Sequence, residues 1–132
     1  MKVLALDYGS ARTGVAVSDP TGTIAKPVGV VERAATEDGL AQVVELVRAE
    51  DVERVVVGLP LTMRGDRGQQ VNETERFVEA LRAAVDVPVE SFDERFTTDL
   101  AEQAHAPAAP EDARAAAHLL SSYLAWSSNA NR

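Results

Sequence analysis

Cysteine is absent from the 132 residues, which excludes both disulfides and thiolate metal sites. Aromatic residues make up only 5% of the chain, too few for a row of stacking platforms that would hold a nucleic-acid single strand. Long apolar runs are missing as well. The stretch after Lys2 is interrupted at Asp7, and nothing reaches the roughly 20 residues of a membrane-spanning helix. No secretory leader is read at the N-terminus, so the expectation is a cytoplasmic chain with no membrane partner. Positive charge is also in short supply: 13 basic residues face 21 acidic ones, for a net charge of −8. That argues against sequence-independent grip on nucleic acid through bulk charge. It leaves room for a nuclease, because carboxylates gathered to hold cations make a protein more acidic.

What is present is enough apolar material to build a core, 45% of the residues, in a length suited to one domain. The expected domain covers residues 1–126, with 127–132 as a flexible tail. Lys2 to Asp7 reads as a strand apolar on both faces, as at the centre of a sheet. Gly14–Ser18 and Lys26–Val31 follow over short connections, which predicts an antiparallel meander. From Thr36, a natural N-cap, Leu40, Val43, Val44 and Val47 recur at helical spacing. The β-branched run in "VERVVVGLP" predicts a buried fourth strand, parallel to the first and beside it. A second helix is marked by Val71, Thr74, Phe77, Val78 and Leu81, and a fifth strand by "VPVESFD". Thr97 or Thr98 could cap a short helix, and the last helix opens near Pro110, with Ala116, Leu119, Leu120 and Tyr123 as its apolar stripe. The fold class expected is α/β: a mixed five-stranded sheet, three strands antiparallel and two parallel, flanked by helices.

An aspartate closing an apolar strand is costly unless something compensates it. Asp7 ends the first strand and Asp93 the fifth. In parallel strands both ends fall on one edge of the sheet, the edge where open α/β sheets bind ligands. Alternation puts Val87, Val89, Ser91 and Asp93 on one face and Glu90, Phe92 and Glu94 on the other, so only one of Asp93 and Glu94 faces Asp7. A third acid, Asp112, opens the last helix, beside small residues that permit close approach to the sheet. Three carboxylates meeting at one place repel unless a cation binds them, and hard oxygen donors suit Mg2+ or Mn2+. Such ions can activate water and stabilise the leaving oxygen of a phosphodiester. Taken singly, each acid also fits a structural role: Asp7 in a turn, Asp93 as a cap, Asp112 at a helix start favoured by the dipole. Arg12, Arg64, Arg67 and Arg95 fall in loops or turns of the same edge, and arginine forks suit phosphate oxygens. His105, His118, Tyr123 and Trp126 read as structural.

Four segments, "LDYGSARTGVAVSDP", "VVVGLPLTMRGDRG", "FDERFTT" and "DARAAAHLLSSYL", resemble the RuvX (YqgF) family in order and context. Members are described as nucleases of pre-16S ribosomal RNA and as similar to Holliday junction resolvases. The resemblance covers nearly the whole chain and implies a ribonuclease H-like fold. It also implies a hydrolase acting on nucleic acid, pre-rRNA or structured DNA, during ribosome biogenesis at the 5′ end of 16S rRNA. A ribosomal subunit is a further implied partner, and monomer and homodimer both stay open. Carried over by position, the catalytic and metal-binding acids are Asp7, Asp93 and Asp112, with Glu94 as the alternative to Asp93. Arg95, Thr97 and Thr98 match the motif without a role attached. The chain departs from the family between "TT" and Asp112, where "DLAEQAHAPAAPE" has no basic residue. That departure motivates a second reading, a non-catalytic ribosome-assembly or nucleic-acid-binding module. A third follows from "DYGSARTGVAV", which also resembles the phosphate-binding hairpin of actin-like ATPases; those enzymes need two lobes, more than this length holds.

Overall fold

Local sequence explains the order of elements in the computed structural model, which describes residues 1–61, 68–96 and 110–130. Three β-rich runs separated by turns form β1 (Val3–Asp7), β2 (Arg12–Ser18) and β3 (Ala25–Glu32). Helix α1 (Glu37–Ala49) starts where the Thr36 hydroxyl accepts the Gly39 amide at 3.1 Å, satisfying one orphan donor of the first turn. Strand β4 (Arg54–Leu59), helix α2 (Gln69–Ala84) and strand β5 (Val89–Asp93) follow. A single 3-10 turn, Glu94–Phe96, closes β5, and α3 (Glu111–Ala130) completes the chain. Helix α3 thus continues into the stretch that composition alone reads as a tail.

The sheet order is β3-β2-β1-β4-β5. β1 pairs antiparallel with β2 and parallel with β4, and β5 extends the parallel half. This is the mixed sheet expected from the sequence, with β4 beside β1 as right-handed crossover geometry requires. β1 is central, so both of its faces are covered. One face carries Leu4, Leu6, Val15, Val55 and Val57 against Val43 and Val47 of α1 and Phe77, Val78 and Leu81 of α2. The other carries Val3, Ala5, Ala16, Val56 and Phe92 against Ala116, Leu119, Leu120 and Tyr123 of α3. Period-two alternation therefore assigns every later residue of these strands to one layer or the other. Tyr8, next to Asp7, turns to the α2 layer and stacks on Phe77 at 4.7 Å between ring centres. Trp126 leans on Phe92 at 5.6 Å and Tyr123 at 6.0 Å, as packing predicts, but stays 47% exposed. Among the described residues no helix is long and apolar enough to cross a membrane.

Candidate active site at the carboxyl edge of the sheet

β1 sends Val3 and Ala5 into the α3 layer, so Asp7 faces α3 at the carboxyl end of the strand. Its register partner in β2 is Gly14, and the Leu6–Val57 pairing brings Gly58 of β4 alongside. Both glycines are spacers. A Cβ on Gly14 would lie 1.8 Å from the Asp112 carbonyl oxygen, so the first turn of α3 rests directly on the β2 backbone. A Cβ on Gly58 would stand 3.0 Å from Leu119 and 3.1 Å from the Cγ of Glu94, so the Glu94 stem lies over β4. Glycine inside a strand marks close approach by another segment, and here two such positions flank Asp7.

The charges respond to this crowding. Burial pushes the Asp7 carboxyl up from its ordinary value, and the negative charge of Asp112 pushes it further. Burial also raises Glu94, followed by repulsion from Asp7 and from Asp93, to about 7. Among the described residues neither Asp7 nor Glu94 has an ion-pair partner. Asp112 is paired: its Oδ2 lies 3.1 Å from Nε of Arg12, which is 64% exposed. Arg12 precedes Gly14 by two residues and shares its face of β2.

The structure thus brings Asp7 within electrostatic reach of Asp112 and of Glu94, while Asp93 acts on Glu94 only. Asp93 belongs to the opposite face of β5, with Val89. Its carboxylate accepts from the Arg95 amide at 2.9 Å and from Arg95 Nε at 3.0 and 2.9 Å. Those bonds, the guanidinium's first, hold Asp93 below the usual carboxylate range. Arg12 and Arg95, expected to meet phosphate, therefore stand at the right edge with their guanidinium groups on carboxylates. Arg64, Arg67, Thr97, Thr98 and His105 lie outside the described residues. His118 lies on α3, away from the first-turn residue Asp112.

The donor chemistry fits a hard divalent cation: carboxylate oxygens only, two of them half-buried and without a counter-charge among the described residues. The arrangement is open, since among the described residues no group of three His, Asp or Glu side chains is gathered so as to hold an ion. The sequence offers Glu94 as the alternative to Asp93 and carries no signal that marks Gly14 and Gly58 as spacers of this site. Alternation separates Glu94 from Asp93 but cannot rank them, because Phe92 on one face of β5 and Val89 on the other are both apolar and buried.

Residues 1–126 match the family model described as RuvX, Holliday junction resolvase. A relative from Chloroflexus aurantiacus is 50% identical over 101 residues, 76% of this chain and 66% of its own length. The match therefore spans slightly less than two thirds of that relative. Another, from Syntrophomonas wolfei, is 36% identical over 132 residues, 94% of each chain. Both carry the provisional name pre-16S rRNA nuclease. Among solved structures, Thermus thermophilus RuvC in complex with a Holliday junction substrate superposes with a TM-score of 0.68 at 16% identity, covering 98% of this chain and 96% of that one. A fowlpox virus resolvase bound to Holliday junction DNA gives 0.50 at 12% identity, over 99% and 98%. These likenesses show the ribonuclease H-like, RuvC-type fold.

Proposed function

Because the chain belongs to the RuvX family, we propose that it is a divalent-metal-dependent nuclease that hydrolyses phosphodiester bonds of nucleic acid. The observation that carries this reading is the pair of half-buried carboxylates, Asp7 and Glu94, which among the described residues have no ion-pair partner and lie in the layer of α3. Folding spends stability to keep like charges together there, and the expense is recovered when a cation binds. Asp7, Glu94 and Asp112 would hold Mg2+ or Mn2+, with Asp93 retained by Arg95. A divalent ion held there would supply Lewis acidity for water activation and a counter-charge for the leaving oxygen. Arg12 and Arg95, now on Asp112 and Asp93, would orient a phosphate at the same edge, since their planar forks match its oxygens. Burial and the neighbouring carboxylates raise Glu94 to about 7, which favours its protonated form in the metal-free protein relative to an ordinary carboxyl.

The name of the relatives, pre-16S rRNA nuclease, supports precursor 16S rRNA as the substrate; the 5′ end as the cut site and a cytoplasmic ribosomal subunit as the setting rest on the motif resemblance alone. The test is a cleavage assay on precursor rRNA, single strands and a four-way junction, each with Mg2+, Mn2+ or chelator. Cleavage of the rRNA is expected with metal only, and Asp7→Asn is expected to lower it at least about a hundredfold while the urea midpoint is kept. Activity that persists in Asp7→Asn overturns the assignment. RNA binding indifferent to Asp7→Asn and to chelator, without cleavage, would instead support the non-catalytic module, which the uncharged "AHAPAAP" stretch favours.

A further inference from the structure

Arg12 presents a contradiction within the proposed site. Asp112 is the carboxylate that α3 brings to Asp7, yet its Oδ2 is already taken by the Arg12 guanidinium at 3.1 Å. The other acids of the edge divide the same way. Asp93 has Arg95, while Asp7 and Glu94 have no ion-pair partner among the described residues. Arg12 is also mobile in principle: 64% of its side chain is in solvent, and it sits in the first position of β2, beyond the last register pair of β1, Asp7 with Gly14. Its backbone is fixed by pairing with Glu32 of β3, so only the side chain needs to move.

Resting on the metal-centre reading, we infer that Arg12 is an exchangeable counter-charge. In the metal-free protein it occupies Asp112 and offsets its charge. A divalent cation displaces it from Asp112, and the released guanidinium, tethered at the same edge, then takes a phosphate oxygen of the substrate. The exchange links the two binding events: the Nε–H that meets Asp112 in the metal-free protein is freed to form, with an Nη, a bidentate pair on phosphate. It follows that Arg12 opposes cation binding and favours nucleic-acid binding, so its removal moves the two affinities in opposite directions. A purely structural arginine that orients Asp112 would move both the same way.

Isothermal titration of the full chain with Mn2+ alone, for wild type, Arg12→Gln, Arg12→Lys and Asp7→Asn, reads the first half. An exposed ion pair is worth little, so Arg12→Gln is expected to bind Mn2+ about two- to fivefold tighter, with Arg12→Lys between it and wild type. Fluorescence anisotropy of a labelled single-stranded RNA, with Asp7 intact and saturating Ca2+ in place of Mn2+, reads the second half. There Arg12→Gln is expected to weaken RNA binding by about tenfold, the effect of one charge-assisted phosphate contact. Mn2+ affinity that is unchanged or lower in Arg12→Gln, while Asp7→Asn still loses the ion, overturns the exchange and leaves the metal centre standing. Mn2+ binding indifferent to Asp7→Asn overturns both. RNA affinity that ignores Arg12→Gln also overturns the exchange. Urea midpoints of the variants show that each result concerns a folded protein.

Discussion

At Glu94, burial and two neighbouring carboxylates act in the same direction, and the consequence is a measurable pH dependence. The group titrates near 4.5 in an unfolded chain and about 7 in the fold. Between those values the folded state binds more protons than the unfolded one, so stability is fully present below the lower value and is lost as pH rises through the upper. Glutamine reproduces the protonated form. Glu94→Gln is therefore expected to raise the melting temperature of the metal-free protein at about pH 8 and to leave it nearly unchanged near pH 4. Differential scanning calorimetry at the two pH values in chelator checks this. A stabilisation of equal size at both would show that the side chain acts through packing. Asp93 serves as the internal contrast: Arg95 holds its proton affinity down, so Asp93 and Glu94, adjacent in sequence, respond to pH with opposite sign.

At the scale of elements, the site depends on how closely α3 can lie on β2. The contact is backbone against backbone at Gly14, where a Cβ would come within 1.8 Å of the Asp112 carbonyl oxygen. No rotamer change can relieve that overlap, so the first turn of α3 must lift and carry Asp112 away from Asp7. Gly14→Ala is expected to cost about 1–3 kcal/mol in urea denaturation and to abolish metal-dependent cleavage. Gly29 in β3 is the control, since nothing stands within 4 Å of a Cβ there. Gly29→Ala should stay within about 0.5 kcal/mol of wild type and remain active. Equal costs for the two substitutions would refute the role given to the α3 contact.

Across the whole molecule, acidity and substrate choice pull against each other. The net charge of −8 repels a polyanion at long range, and the four arginines that the sequence offers for phosphate, Arg12, Arg64, Arg67 and Arg95, are the groups proposed to offset it. Each phosphate neutralised on a single strand contributes about −0.7 to the slope of log affinity against log salt. With four such contacts at most, the slope for a single-stranded RNA should be no steeper than about −3, in a titration at fixed divalent concentration. A markedly steeper slope would mean that a larger basic surface forms, for example on association with a partner. The absence of basic residues between Asp99 and Glu111 makes the shallow slope the expected result.

Much of this architecture was legible beforehand because it rests on short-range rules. The meander, the Thr36 cap, the helical stripes and the parallel β4 all follow from spacing, capping and crossover geometry, and they appear at the expected places. Alternation likewise separated Asp93 from Glu94 without any coordinates. What it could not assign was the identity of each face, because a strand buried on both sides is apolar on both. That was decided when α3 packed over Val3, Ala5, Val56 and Phe92, which placed Asp7 and Glu94 in its layer and left Asp93 to Arg95. The pairing of Arg12 with Asp112 belongs to the same category. Their separation along the chain is bridged only by the descent of α3 onto Gly14. The sequence by itself determined which residues carry charge and where strands end. Tertiary packing decided which of those charges meet, because proximity between distant segments is set by the layer that covers them and not by the spacing along the chain.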